Sequence, residues 1–251
     1  MSRVVVLGGN GEMGGAVTDV LRGRGHDVLP VSRATGVDAV TGAGLDGALS
    51  RADTVVDCLN HLTLSRRAAV SFFGGAAARV ADAAGRTGVA HVVCLSIVNA
   101  ADDGVRRAMG YYDGKAAQEE AYTAGAVPVT LARTTAWFSL AETFLRQVRV
   151  GPVAFVPGMR LRPVHPAAAA AFLADAVEAG PRTGHGADVW QLAGPEEHDA
   201  AAMARALAGA RHPGVKVVRL PLPVAALREG LMPRGEVEVD DRRFADWLAG
   251  A

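Results

Sequence analysis

Lysine, cysteine and aromatic residues are all scarce in this chain of 251 residues, and each scarcity narrows what it can be. Two cysteines, Cys58 and Cys94, cannot build a secreted disulfide framework, and each lies in an apolar run where a thiol packs as a small hydrophobe. They point to reduced thiols and a cytoplasmic setting. Neither sign of charge is in excess, Lys plus Arg and Asp plus Glu standing at 26 each, so no bulk positive field invites nucleic acid or an anionic membrane surface. The seven histidines show no H-x-x-x-H spacing and no cluster with cysteine, which argues against a metal site. A Gly-x-Ser-x-Gly nucleophile elbow is also missing. The alanine-rich stretch over residues 166–180 is interrupted by Asp175 and Glu178, so it does not qualify as a membrane span. A strand that opens within three residues of Met1 leaves no room for a secretion signal.

What the chain has in quantity is apolar side chains, half of its residues, and glycine, 30 of them. That is enough apolar material for a sizeable core. The glycines matter most over residues 4–15, V-V-V-L-G-G-N-G-E-M-G-G. Three successive valines predict a buried strand, and the glycines a tight turn into a helix over residues 16–22. Strand, glycine turn and helix make a phosphate cradle: without Cβ atoms the backbone can approach a pyrophosphate, and the helix start offers free N–H groups and a positive dipole end. The cradle runs through Gly8, Asn10, Gly11, Glu12, Met13 and Gly14. A second strand over residues 26–32 ends at Ser32-Arg33. In a dinucleotide site this place faces the adenine ribose, where arginine suits a 2′-phosphate and a carboxylate would repel it, so NADP(H) is favoured over NAD(H).

Farther along, residues 37–40 are a weak strand candidate, residues 45–49 a short helix, and residues 52–60 a strand that delivers Asn60 to the edge where such sheets bind ligands. An amphipathic helix spans residues 65–87, with Val70, Phe73, Ala77, Val80 and Ala84 on one face. A strand over residues 91–96 ends at Ser96, a loop-like stretch covers residues 97–109, and a helix follows over residues 116–124. Just ahead of that helix, Tyr111 precedes Lys115 by four residues, which puts both on one face if the helix has begun by Tyr111. With three tyrosines and two lysines in the chain, that spacing is expected by chance about 0.02 times. A strand over residues 127–133 is the sixth, and the alternation of strands and helices predicts a parallel sheet covered by helices on both faces. Trp137, Phe138, Leu140 and Phe144 begin an apolar helix that packs in the core or floors a substrate pocket. Beyond residue 150 come shorter pieces: a helix ending at Ala179, strands over residues 189–193 and 215–220, a helix over residues 199–208, an apolar segment over residues 222–232 and a last helix over residues 241–248.

Taken in order, G-G-N-G-E-M-G from Gly8, V-V-D-C-L-N ending at Asn60, S-F-F-G-G-A-A-A-R-V from Ser71, H-V-V-C-L-S-I-V from His91, G-Y-Y-D-G-K-A-A-Q-E-E from Gly110, V-P-V-T-L-A-R-T-T from Val127, R-P-V-H from Arg162 and Q-L-A-G-P-E from Gln191 resemble the short-chain dehydrogenase/reductases, and within them the atypical NmrA-like, NAD(P)H-binding branch common in actinobacteria. The resemblance implies a Rossmann-like, doubly wound α/β fold: one domain over residues 1–251, with a dinucleotide-binding core over 1–150 and a smaller mixed α/β substrate lobe over 151–251 that partly adds to the core sheet. It implies that Gly8, Gly11 and Gly14 hold the dinucleotide and Arg33 its 2′-phosphate, and that Ser96, Tyr111 and Lys115 are the catalytic set, with Lys115 also on the cofactor. A phenol is a poor proton shuttle near neutral pH unless a cation stabilises its phenolate, and Lys115 is placed to do so. Hydride would pass between nicotinamide and a substrate carbonyl carbon while Tyr111 moves the oxygen's proton and Ser96 holds that oxygen.

The expected activity is therefore NADPH-dependent oxidation or reduction of a small apolar carbonyl, enone or quinone. A non-catalytic NADP(H) sensor and a redox-neutral epimerase or isomerase are the alternatives. Tyr112, Trp137, Phe138 and His165 are the candidate pocket residues, and the helix phase decides whether Tyr111 or Tyr112 faces the nicotinamide. The partner is a small molecule, and the assembly a monomer or small homo-oligomer.

Overall fold

The computed structural model describes residues 1–181, 187–222 and 231–250. Its centre is a seven-stranded sheet in which every neighbouring pair runs parallel, built from β1 (Arg3–Leu7), β2 (Asp27–Val31), β3 (Thr54–Asp57), β4 (His91–Ile97), β5 (Val129–Thr134), β9 (Ala187–Ala193) and β12 (Glu238–Val239) in the order β12-β9-β5-β4-β3-β1-β2. The strand order reverses direction at β1: β2 lies on one side and β3 on the other. The crevice between the carboxyl ends of β1 and β3 is thus the switch point at which sheets of this kind take ligands.

Two apolar layers cover the sheet. On one face α1 (Glu12–Gly23) and α7 (Pro166–Ala179) pack on Val4, Val6, Val56, Val93 and Leu95. Met13, Val17 and Leu21 recur every four residues along α1 and are all buried, each worth roughly 1.5–3 kcal/mol of transfer free energy. Arg24, just beyond α1, clamps it to α7 through Asp175 at 2.6 Å and Glu178 at 2.8 Å. On the other face α2 (Leu45–Leu49), α3 (Arg66–Thr87) and α5 (Gly110–Thr123) cover Val5, Leu7, Val55, Val92, Cys94 and Leu131.

The α3–α5 contact is unusually close because small residues line it. A Cβ on Gly114 would stand 2.8 Å from the Phe73 ring and 2.9 Å from the Ala69 backbone, and one on Gly110 would stand 2.7 Å from the Arg66 Cα. This explains the S-F-F-G-G-A-A-A run of α3: bulk only at Phe72 and Phe73, then small residues where the partner helix approaches.

After β5 the chain builds the lobe. Its elements are α6 (Leu140–Gln147), β6 (Arg149–Val150), β7 (Val153–Pro157), β8 (Arg160–Leu161), β10 (His198–Asp199), α8 (Ala200–Arg211), β11 (Lys216–Leu220) and α9 (Phe244–Ala249). They enclose a third core around Phe138, Leu145, Leu161, Met203, Leu207 and Phe244. Between them the chain returns to the central sheet twice, as β9 and β12.

Three local expectations change. Residues 37–40 are not a strand; only Asp38 and Ala43 pair there, so five strands rather than six precede residue 135. The stretch over residues 97–109 holds α4 (Asp103–Ala108), capped by the Asp102 carboxylate accepting from Val105 N. The next helix begins at Gly110, six residues earlier than periodicity indicates, because Gly110 and Gly114 show no apolar period and instead fit the approach of α3. Most of the segment over residues 222–232 lies outside the described residues. Among the described residues no helix is long and apolar enough to cross a membrane.

Candidate active site at the carboxyl edge

The cradle forms where β1 turns into α1. Gly8 adopts φ +74°, a conformation that favours glycine, and a Cβ there would stand 3.0 Å from the Cys58 carbonyl oxygen across the switch point. Gly14 is tighter still: its Cβ would lie 2.2 Å from the Gly8 carbonyl oxygen, so α1 can dock on the turn only without one. Gly9, which the sequence reading passed over, has the same kind of role against Pro30 of β2, at 2.5 Å. Gly11 differs, having φ −82° as the N-cap of α1 and only a 3.2 Å approach to Gly8 O. Asn10, Gly11 and Glu12 form the exposed rim, whereas the Met13 side chain turns into the core. No side chain caps α1, which leaves its first N–H groups for a ligand. At the end of β2, half-buried Ser32 leads into a single 3₁₀ turn, Arg33–Thr35, and the exposed Arg33 guanidinium has no partner among the described residues.

Tyr111 and Lys115 sit one turn apart on α5 and share the Phe73 ring. The tyrosine meets it edge-on at 5.5 Å between centroids, and the Lys115 Nζ lies 4.6 Å from its centroid. The half-buried Tyr111 hydroxyl donates to Asn60 Oδ1 at 3.0 Å, three residues past β3. Tyr112 points the other way, 6 % exposed, and burial pushes its phenol well above the ordinary range. Helix phase therefore brings Tyr111, and not Tyr112, to the sheet edge.

Ser96 stands near the carboxyl end of β4, but its side chain does not open onto that edge. Along β4 the side chains alternate, Cys94 and Ser96 facing the α5 layer and Leu95 the α7 layer, so Ser96 is fully buried and its hydroxyl donates to Glu119 Oε1 at 2.6 Å. Glu119 also accepts from Arg133 at 2.8 and 2.5 Å, closing a buried charge pair between α5 and β5. Phe138 is 1 % exposed and belongs to the lobe's core, against Phe244 and Trp247, so it floors no pocket. His165 caps α7 by accepting from Ala167 N at 3.0 Å, and burial with nearby Arg242 depresses its imidazole. Trp137 is half-buried, its indole donating to Thr134 Oγ1 at 3.1 Å.

Beneath the edge lies a polar chain that motif reasoning missed. Lys115 Nζ, 3 % exposed, donates to Leu95 O at 3.0 Å and Gln118 Oε1 at 2.9 Å. Gln118 Nε2 donates to Asp57 Oδ2 at 2.7 Å, and the Tyr122 hydroxyl donates to the same oxygen at 2.7 Å. One signal was available: Asp57 is a carboxylate in a strand that is otherwise fully buried and apolar apart from Thr54. A separate hollow of about 440 Å³ lies against α7, β12 and α9. It is lined by Asp175, Glu238, Asp240, Asp241 and Asp246 and by none of the predicted site residues. Among the described residues no group of three or more His, Cys, Asp or Glu is arranged to hold a metal ion.

No family model matches the chain, and no curated protein matches it by sequence. Solved structures do match in fold. A dTDP-4-dehydrorhamnose reductase from Bacillus anthracis in complex with NADP aligns with a TM-score of 0.70 at 14 % identity, over 98 % of this chain and 92 % of its own. A UDP-N-acetylglucosamine 4-epimerase from Bacillus cereus aligns at 0.70 and 15 % identity, over 100 % and 98 %. A short-chain dehydrogenase/reductase superfamily protein from Agrobacterium tumefaciens with bound NAD aligns at 0.67 and 16 % identity, over 99 % and 95 %. Across nearly its whole length, then, the chain has the Rossmann-like α/β fold of these proteins.

Proposed function

We propose that this chain is a cytoplasmic, NADPH-dependent oxidoreductase of the NmrA-like short-chain dehydrogenase/reductase type, acting on a small apolar carbonyl, enone or quinone with Tyr111 as acid and base. The observation that carries the reading is the Tyr111 phenol, alone among three tyrosines in not being buried, held at the carboxyl edge one helical turn from the Lys115 ammonium. The residues fit a dinucleotide. The turn at Gly8 and Gly14 has no room for Cβ atoms, the helix start carries no side-chain cap, and the Arg33 guanidinium is free to pair with a 2′-phosphate. Gly8, Asn10, Gly11, Glu12 and Gly14 would hold the pyrophosphate side, Ser32 and Arg33 the adenine ribose, and Asn60 and Lys115 the nicotinamide side. When bound, the nicotinamide supplies or accepts the hydride.

The chain's own part is proton transfer and positioning. Tyr111 gives its proton to the substrate oxygen in reduction and takes it back in oxidation, and the nearby ammonium stabilises the phenolate left behind. Ser96 is committed to Glu119, so the donor beside the phenol is the Asn60 amide: its Oδ1 accepts from Tyr111, and its Nδ2 would hold the substrate oxygen. The exposed Leu62 and Leu64 of the loop after β3 favour an apolar substrate, and the buried free thiols of Cys58 and Cys94 suit a reducing compartment.

Tyr111→Phe tests the assignment. With a panel of carbonyls and quinones, NADPH oxidation followed at 340 nm should fall by about a hundredfold or more while NADPH affinity stays within about threefold. An unchanged rate would reject Tyr111, and a parent protein that binds NADPH but oxidises it with no substrate would favour a sensor. Arg33→Ala should weaken NADP(H) by about tenfold and leave NAD(H) nearly unaffected. A redox-neutral epimerase is the second reading, supported by the likeness to the Bacillus cereus epimerase; product formed without net loss of NADPH would select it.

A further inference from the structure

Lys115 is buried, and so is the carboxylate that offsets it, yet the two do not touch. Asp57 is 1 % exposed, and no cation contacts it among the described residues; its acceptors are filled by Leu59 N at 2.8 Å on Oδ1, and by Gln118 Nε2 and the Tyr122 hydroxyl, both at 2.7 Å, on Oδ2. Gln118, also 1 % exposed, bridges the pair, its Oε1 accepting from Lys115 at 2.9 Å. Hydrogen-bond chemistry leaves this bridge one orientation. An ionised carboxylate only accepts and an ammonium only donates, so the Gln118 amide must turn its NH₂ to Asp57 and its carbonyl to Lys115. Reversing it would leave a buried donor against a donor and an acceptor against an acceptor.

We propose that Asp57 and Gln118 are positioning residues for Lys115: the carboxylate sets which way the amide points, and the amide carbonyl holds the ammonium beneath the sheet edge, one turn from Tyr111. The inference rests on the proposed role of Lys115 and adds how its place is secured. Two of the three Nζ donors are spent on Leu95 O and Gln118, and one remains. The other titratable groups packed around the ammonium are the thiols of Cys58 and Cys94 and the Tyr122 phenol, all pushed up by burial and therefore neutral near pH 7, together with Glu119, which is paired with Arg133. Asp57 is thus the carboxylate joined to the ammonium through Gln118, and among the described residues no cation contacts it.

Gln118→Met keeps length and burial and removes the bridge; Asp57→Asn keeps shape and removes the charge that orients it. Competitive acetylation with acetic anhydride, read peptide by peptide on the full-length protein, compares Lys115 with the exposed Lys216, the chain's other lysine, as an internal standard. In either variant the relative labelling of Lys115 should rise by about fivefold or more with the folded circular-dichroism spectrum retained, as expected for an ammonium freed from a buried acceptor. Labelling unchanged in both variants overturns the proposal, whether or not the parent protein turns over a substrate. The second readout is the pH profile of kcat/KM for NADPH oxidation, whose midpoint should move by about half a unit or more in both variants. The double variant should add little to either single one, since both cut the same chain. Profiles that superimpose on the parent's while only thermal stability drops would reduce Asp57 and Gln118 to packing and overturn their role toward Lys115.

Discussion

Tyr111 and Asn60 meet hydroxyl to amide at 3.0 Å, joining α5 to the segment just past the carboxyl end of β3. Asn60 is exposed, so its loss should hardly touch stability, within about 0.5 kcal/mol. Its proposed role as the second donor on the substrate oxygen predicts a different effect on rate. Asn60→Ala should lower kcat by about tenfold and, since Asn60 also stands on the nicotinamide side, weaken NADPH by no more than about threefold. Steady-state kinetics with fluorescence titration of NADPH checks both, and an unchanged kcat would remove Asn60 from the chemistry.

Ser96→Ala separates a structural serine from a catalytic one. The hydroxyl lies between β4 and the Glu119–Arg133 pair, so its removal deprives a buried carboxylate of one donor and should cost about 1–3 kcal/mol in urea unfolding. The rate of NADPH oxidation at temperatures where the variant is folded should stay within about twofold of the parent. A hundredfold loss in rate would return Ser96 to the catalytic set.

The two kinds of glycine in the cradle predict opposite outcomes. Gly14→Ala puts a methyl 2.2 Å from backbone that has nowhere to go, which should displace α1 and abolish cofactor binding. Gly11→Ala meets one atom at 3.2 Å from an ordinary φ, so affinity should change by less than about fivefold. Isothermal titration with NADPH distinguishes them.

His91 sets an acid limit on stability. It is 1 % exposed at the start of β4, its Nε2 paired with Thr130 Oγ1 at 2.9 Å, and burial pushes the imidazole down to about 4 from an ordinary 6.5, partly opposed by the Asp188 charge. Between those values the unfolded chain binds a proton that the folded chain refuses. The stability His91 allows is therefore complete above pH 6.5 and is lost as pH falls towards 4, by on the order of 3 kcal/mol. Urea unfolding at pH 7.5, 6 and 5 should show this decline, and His91→Gln should flatten it.

The sheet, the cradle and the Tyr111–Lys115 pair were legible because each is local: consecutive valines, a glycine turn and a four-residue spacing carry their own geometry. The place of Ser96 was hidden because its role came from the family resemblance, which does not say which face of the sheet the side chain takes. The period-2 alternation from Cys94 puts it on the α5 layer. Asp57, Gln118 and Lys115 could not be joined from sequence, since Asp57 reaches the α5 layer only through the parallel register that pairs it with Cys94. Phe138 was equally open until β7, α8 and α9 closed around it. The short helix over residues 103–108 was missed because its cap, Asp102, sat among other loop-forming polar residues.

The return of the chain to the central sheet has a consequence for synthesis. β5 ends at Thr134, and the strand that pairs with its free side, β9, begins at Ala187, with α6, β7 and α7 made in between. A nascent chain halted after residue 150 therefore displays a row of unanswered backbone donors and acceptors along β5, an edge that invites pairing with another copy. The first 150 residues are not a detachable module, since the open flank of β5 is finished only by residues emerging some fifty positions after it.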